Sequence, residues 1–298
     1  MIALIADGGG TKTRAWLVDV SNKRILTTVE SGPSNFGKVQ AVGLRAVLRE
    51  IRHAVDGEGK FETAVLGLAG VGRERERAAA QQAAEAEWPG CRIVVVPDAE
   101  LAYRGAFAGG RTGVLLICGT GTIAYSQTPT SREFKRVGGW GPLLGDEGGG
   151  AWLGREAIRL CLYEYEHDKL SPFHSAVLEQ LGLEFTPELI TKVYSERYGP
   201  SEWAELAPLI FRYAHEDPSV LKILNRMAME LVDLAERLAE QLLPEATTVP
   251  LVVMGGLWQQ RDLLRPLIEQ EIGIRNLPIV ITEPSGGPME GGMLLLEG

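Results

Sequence analysis

A chain of 298 residues exceeds what one hydrophobic core ordinarily serves, so two domains are expected, and 45% hydrophobic with 23% charged residues is the balance of a globular enzyme. The net charge of −9 excludes an extended nucleic-acid surface, which needs clustered Lys and Arg, although an acidic chain can still hold a nucleotide through backbone donors and a metal. No stretch approaches about 18 uninterrupted apolar residues and no leader pattern opens the sequence, so no membrane partner is expected and the protein reads as cytoplasmic.

The first apolar strand, Ile2–Ala6, ends in Asp7 and is followed by Gly8-Gly9-Gly10-Thr11-Lys12-Thr13 and a second strand through Val20. Bare glycine N–H groups and a backbone free of Cβ atoms suit phosphate oxygens, and Thr11, Thr13 and Lys12 add donors. Because a strand follows the loop, and neither Gly-x-x-x-x-Gly-Lys nor Gly-x-Gly-x-x-Gly spacing occurs, it is neither a P-loop nor a Rossmann turn. Asp7 beside bound phosphates implies an intervening cation such as Mg²⁺. A plain hairpin turn is the rival reading.

Ile25–Glu30 continues as a third strand, and Ser31–Asn35 forms a polar loop. Leu44, Val47, Leu48, Ile51 and Val55 then share one face of a helix that stops near Gly57 and Gly59. Ala64–Gly70 reads as a buried strand and turn, Glu74–Glu87 as a charged, solvated helix, and Arg92–Val96 as a strand. That strand delivers Pro97 and Asp98 to its C-terminal end, where ligands gather in open α/β sheets. Asp98 could equally cap the following helical segment, Leu101–Ala108.

Ala108-Gly109-Gly110-Arg111 marks a boundary, because the pattern restarts with strand Val114–Cys118, loop Gly119-Thr120-Gly121-Thr122 and strand Ile123–Gln127. The repeated unit predicts two related halves, each with one phosphate loop. Glu133–Val137 precedes a dense run, Gly138-Gly139-Trp140-Gly141-Pro142-Leu143-Leu144-Gly145-Asp146-Glu147-Gly148, and a helix from Ala151 to about Asp168. Residues 171–218 carry Pro172, Pro187, Pro200, Pro208 and Pro218, and their helices stay unassigned. Leu221, Leu224, Met227, Ala228, Leu231, Leu234, Leu238 and Leu242 make a core stripe, and strand Pro250–Met254 runs into Gly255-Gly256, where a flat ring could lie against bare backbone. Cys91, Cys118 and Cys161 lack paired spacing, which favours buried free thiols, and His53, His167, His174 and His215 are expected at surfaces or helix ends.

This layout resembles the sugar kinase, heat-shock chaperone and actin superfamily, and within it the N-acetylglucosamine kinases and BadF/BadG-type ATPases. The resemblance implies an α/β fold of two ribonuclease H-like (actin-like ATPase) domains with a cleft between them. Residues 1–111 would form the first and 112–298 the second, with a helical insertion and a last segment that is a candidate to pack back on the first. Gly9, Gly10, Thr11, Lys12, Thr13, Gly119, Thr120, Gly121, Gly255 and Gly256 then take nucleotide-contacting positions, and Asp7 the metal position. Asp98 takes the catalytic-base position, and Asn35, Asp98, Thr122, Gly139, Trp140, Gly141 and Asp146 the sugar-contacting ones. ATP and Mg²⁺ are the implied cofactors, a small-molecule sugar the partner and a homodimer the assembly, with no nucleic acid. One departure bears on the acceptor: Thr122-Ile123 stands where these kinases carry Ser-Asn, leaving N-acetylglucosamine, glucosamine, glucose or another hexose open. The family's dehydratase-activating ATPases hold an iron–sulfur cluster through thiolates, and the scattered cysteines speak against that role.

Overall fold

The computed structural model describes residues 1–57, 59–108, 110, 112–128, 133–195, 198–243 and 246–297. Gly109 and Arg111 of the expected boundary lie outside that set. In chain order the first elements are β1 (Ile2–Gly8), β2 (Thr13–Asp19), β3 (Arg24–Ser31), α1 (Phe36–Val55), β4 (Thr63–Leu68), α2 (Glu74–Glu87), β5 (Arg92–Pro97) and α3 (Asp98–Ala106). They are followed by β6 (Val114–Cys118), β7 (Thr122–Gln127), β8 (Phe134–Gly138), α4 (Gly150–Glu166), α5 (Pro172–Leu181), α6 (Glu188–Val193), α7 (Pro200–Ala204), α8 (Ala207–Tyr213) and α9 (Pro218–Ala239). The chain closes with β9 (Val249–Met254), a 3₁₀ turn (Gly256–Gln260), α10 (Arg261–Ile274), β10 (Ile279–Ile281) and α11 (Pro288–Glu297).

Two compact units result: Met1–Arg111 with Glu283–Gly298, and Thr112–Thr282. Each holds one five-stranded mixed sheet, ordered β3-β2-β1-β4-β5 in the first and β10-β9-β6-β7-β8 in the second. Read from its antiparallel edge, the second sheet repeats the first: an antiparallel three-strand meander, then two parallel strands reached by helical crossovers. The α/β fold is therefore duplicated, as the recurring strand, Gly-Thr loop and strand predicted.

Period-two alternation explains the first unit's layers. Leu4 and Ala6 of β1 join α1 and α2 in one core, whereas Ala3 and Ile5 face Leu101 of α3 and Met293 of α11 in another. A sheet covered on both faces needs apolar residues on both, and every residue of β4 is buried. The α3–α11 contact is close because glycines allow it: a Cβ on Gly105 would overlap the Gly287 carbonyl, and one on Gly291 the Leu101 carbonyl. In the second unit α4, α8 and α9 pack around one core with β6 and β9; Leu224, Met227, Ala228, Leu231, Leu234, Leu238 and Leu242 of the predicted stripe are buried, whereas Leu221, in the first turn of α9, is 39% exposed.

The five prolines of residues 171–218 all sit at helix starts: Pro172, Pro200, Pro208 and Pro218 in first turns and Pro187 as an N-cap. Cys118 and Cys161 are buried free thiols, while Cys91 is only partly covered. His174 lies in the first turn of α5, a helix end as expected, but is buried there: it is 1% exposed, with Nε2 2.8 Å from the Thr186 hydroxyl and Nδ1 3.3 Å from the Glu164 carboxylate. Apolar burial of α5 carries this ring inward, where Thr186 is its hydrogen-bond partner.

Candidate active site

In the first unit, β1 and β2 pair as far as Gly8 and Thr13, so Gly9–Lys12 make the hairpin loop, closed by the Gly9 N–H donating to the Lys12 carbonyl at 3.0 Å. The Gly9 carbonyl accepts from Ser34 and Asn35 N–H groups at 3.1 and 3.0 Å, which ties the loop to the segment before α1. A Cβ on Gly8 would overlap the Ser34 hydroxyl, whereas Gly10 faces open space. Gly9, Gly10, Thr11 and Lys12 line a pocket of about 400 Å³ with Asp7 and Asp98. Arg14, Trp16 and Pro288 complete its lining and were not singled out in the sequence. Arg14 was findable, since hairpin pairing sets it opposite Asp7.

Both carboxylates in this pocket hold protons more tightly than usual. Burial raises Asp7 from 3.8 to about 6, with the charge of Asp98 adding to the rise and Arg14 partly offsetting it. Burial also pushes Asp98 up, against hydrogen bonds from backbone N–H groups, including that of Ala99 at 2.9 Å. Asp98 is the first residue of α3, with Pro97 as N-cap, so β5 and the helix start fix its position. No group of three or more metal-ligating side chains occurs among the described residues. Two neighbouring carboxylates next to a phosphate loop still fit Mg²⁺, which ordinarily takes one or two carboxylates plus substrate phosphates and water.

Two expected ligand contacts are occupied internally. Thr13 is 1% exposed; its hydroxyl donates to the Gly32 carbonyl at 2.7 Å and shares a 2.7 Å bond with the buried Ser34 hydroxyl. Lys12 pairs with Glu30 at 2.8 Å on the outer side, and Arg14 reaches the same oxygen at 3.4 Å. Asn35 caps α1, its Oδ1 accepting from the Gly37 N–H at 3.1 Å. That side chain fills the space a Cβ on Gly70 would need, and Gly70 has φ of +81°. No described residue takes the NH₂ of Asn35, which leaves two donors for a ligand.

In the second unit, the loop Gly119-Thr120-Gly121 accepts the start of α4: Gly150 N–H donates to the Gly119 carbonyl at 2.8 Å and Ala151 N–H to that of Thr120 at 2.9 Å. Thr120 stays exposed, but Thr122 is 2% exposed and donates its hydroxyl to the Glu147 carbonyl at 2.6 Å. Thr122 thus fastens the loop bearing Asp146. Asp146 has φ of +62°, its carboxylate lies directly against Gly121, and Oδ1 accepts from the Gly141 N–H at 3.3 Å. Burial raises its pKa.

Gly139 packs on the Ile123 side chain, so position 123 does border the glycine-rich segment, with an apolar group there. Trp140 is 62% exposed, with the Arg136 guanidinium 4.7 Å above its ring. Gly255, at φ +106°, lies where a Cβ would overlap the Cys118 carbonyl, and Gly256 beside it faces open space. Gly119–Gly121, Gly139–Gly141 and Asp146 are therefore assembled in one unit, and Asp7, the first loop, Asn35 and Asp98 in the other.

The profile of the BadF/BadG/BcrA/BcrD ATPase family matches residues 6–292. The N-acetyl-D-glucosamine kinase of Dictyostelium discoideum is 31% identical, over 97% of this chain and 95% of its own. The N-acetylmuramic acid/N-acetylglucosamine kinase of Clostridium acetobutylicum is 29% identical, over 84% of this chain and 83% of its own. Among solved structures, a provisionally assigned N-acetylglucosamine kinase from Chromobacterium violaceum is similar with TM-score 0.79 and 30% identity, covering 99% of this chain and 98% of its own. With a match that runs from β1 into α11, the chain belongs to the BadF/BadG/BcrA/BcrD ATPase family.

Proposed function

We propose that this protein transfers the γ-phosphoryl group of ATP to the 6-hydroxyl of N-acetylglucosamine, with Asp98 as general base. The chain is a sugar kinase, as its relatives at 29 and 31% identity are. The observation that carries the reading is the pocket in which Asp98 and Asp7 converge on the glycine hairpin, with Gly10 facing open space. In that reading Asp98 takes the sugar hydroxyl proton while the oxygen attacks phosphorus, and ADP leaves. Gly10, Thr11 and Lys12, with Thr120 and Gly121, supply donors for phosphate oxygens; Gly9 and Gly119, whose N–H groups close their own loops, let the backbone approach, and Gly255 and Gly256 offer a bare surface for the adenosine. Asp7 would hold Mg²⁺, which when bound neutralises phosphate charge.

Asp146, the NH₂ of Asn35 and the Gly139–Gly141 backbone orient the acceptor hydroxyls. Burial lifts Asp146 but leaves it hydrogen-bonded by Gly141, so its free oxygen can accept from a sugar hydroxyl. Ile123 beside Gly139 favours a second reading, in which the acceptor is glucosamine or another hexose, because an apolar side chain makes no bond to an acetamido or hydroxyl group. The dehydratase-activator reading fits less well. Burial pushes the Cys118 and Cys161 thiols up to about 12, far from thiolate ligands. The proposed enzyme is a cytoplasmic homodimer, which sedimentation equilibrium tests.

ADP release from Mg-ATP, measured with N-acetylglucosamine, N-acetylmuramic acid, glucosamine, glucose and no sugar, tests the proposal. N-Acetylglucosamine should stimulate release most. Asp98→Asn should lower kcat by about 10²–10⁴-fold and leave sugar affinity within about tenfold. Sugar-independent hydrolysis would refute the kinase reading, and full activity of the variant would refute the base.

A further inference from the structure

The helical part of the second unit holds a cavity of about 450 Å³ that phosphoryl transfer leaves unused. One face of α4 lines it, with Arg155, Ile158, Arg159 and Leu162 at helical spacing, and α6, the turn after it and Trp203 of α7 supply the rest.

The charge around this cavity is one-sided. Among the described residues no carboxylate lines it, although the chain carries a net charge of −9. The nearby buried Glu156 is shared by Arg159 and Arg226, each at 2.7 Å. Arg155 has no acidic partner among the described residues and bonds the Pro142 carbonyl at 3.0 Å. Two donors on lining residues, Arg155 Nε and Trp203 Nε1, are buried with no acceptor among the described residues. Buried donors are nearly always paired, so a ligand oxygen that reaches either of them gains a bond no described residue makes.

Guanidinium forks match carboxylate and phosphate oxygens, and the Leu, Ile and aromatic lining suits an apolar body. We propose that this cavity is a regulatory site for a small amphipathic anion, a phosphate ester or carboxylate carrying an aromatic or branched apolar group. Its output runs through Arg155. An anion that draws this guanidinium into the cavity pulls its Nη1 off the Pro142 carbonyl, which lies in the loop between Gly141 and Asp146. If that loop holds the acceptor, as proposed above, occupancy weakens sugar binding and leaves the phosphoryl step alone. The coupling is reciprocal, so the sugar weakens anion binding by the same factor.

Phenyl phosphate serves as probe, with inorganic phosphate and phenol as separate arms. Binding is read calorimetrically on the full chain without nucleotide or sugar, so this result stands apart from the kinase reading. Phenyl phosphate should bind saturably and more tightly than either arm. Arg159→Gln, and independently Ile190→Asp at the 58% exposed rim, should each weaken it by about tenfold or more. In steady-state assays it should raise the sugar KM to a plateau about fivefold higher, with kcat unchanged. No binding, binding to either variant as tight as to the unaltered protein, or inorganic phosphate binding as well as phenyl phosphate overturns the site. Binding that leaves the sugar KM unmoved, or raises it without a plateau, overturns the regulatory role.

Discussion

Asp7 shows how one residue trades stability for chemistry. Its folded-state pKa of about 6 lies above the ordinary 3.8, so between those values the native state binds protons that the unfolded chain has lost. Stability therefore falls as pH rises from about 4 to about 6 and stays at the lower level above that. Asp7→Asn should stabilise the protein at pH 7.5 by up to about 3 kcal/mol, a gain that fades toward pH 4, while Mg-ATP turnover is lost. Urea midpoints at the two pH values check it; a gain of equal size at both would sink the explanation. Gly10→Ala asks less of the fold, since nothing lies within contact of the new methyl group. Stability should change by less than about 0.5 kcal/mol, and the KM for ATP should rise on the order of tenfold as the methyl enters the phosphate pocket. The placing of Asp7, Asp98, Gly9 and Gly10 around one pocket was legible, because strand ends and a hairpin loop fix where such residues lie. Thr13 and Thr122 were not, because a hydroxyl serves a phosphate and a neighbouring carbonyl equally well, and both turn inward.

Among the elements, α3 and α11 depend on each other through glycine. Gly291→Ala should cost about 1–3 kcal/mol, because its methyl must push Leu101 and hence α3 away. Gly273→Ala, on the exposed end of α10 with open space around it, should instead stabilise by about 0.5–1 kcal/mol. Denaturant melts of the pair separate steric overlap from a general effect of replacing helical glycine. The α1 stripe was readable since Leu44, Val47, Leu48, Ile51 and Val55 are all buried. The helices of residues 171–218 stay unassigned in the sequence because proline can mark either a break or a first turn, and at a first turn the missing N–H costs nothing and the fixed φ favours the helix. The pairing of α11 with α3 left no sequence signal beyond small residues. That His174, at its helix end, is buried was unreadable for a related reason: only the packed unit shows which face of α5 points inward.

At the scale of the molecule, the second unit is one continuous segment with its own core, whereas the first needs a distant piece of chain. Residues 112–282 expressed alone should fold with a single cooperative transition. Residues 1–111 alone should not, because Ile5 and Leu101 lose the cover of Met293. Circular dichroism melts of both fragments, with α11 supplied as a peptide to the second, test this; a cooperative 1–111 fragment without the peptide would refute it. The duplicated sheets were legible in the repeated strand and Gly-Thr loop, which span few residues. The discontinuity was less so, since it rests on where residues 283–298 come to lie.

That discontinuity sets an order of events during translation. Domains usually mature from the N-terminus as the ribosome advances. Here residues 1–111 leave the exit tunnel before residues 283–298 and wait for them, so the intervening unit can finish while this one is still incomplete. The helix that begins with Asp98 gains its partner only once Pro288–Glu297 has been made. A nascent chain thus completes its phosphate pocket, part of whose lining is Pro288, only after residues 112–282 have been made, and a chain cut short before Pro288 lacks that part of the wall.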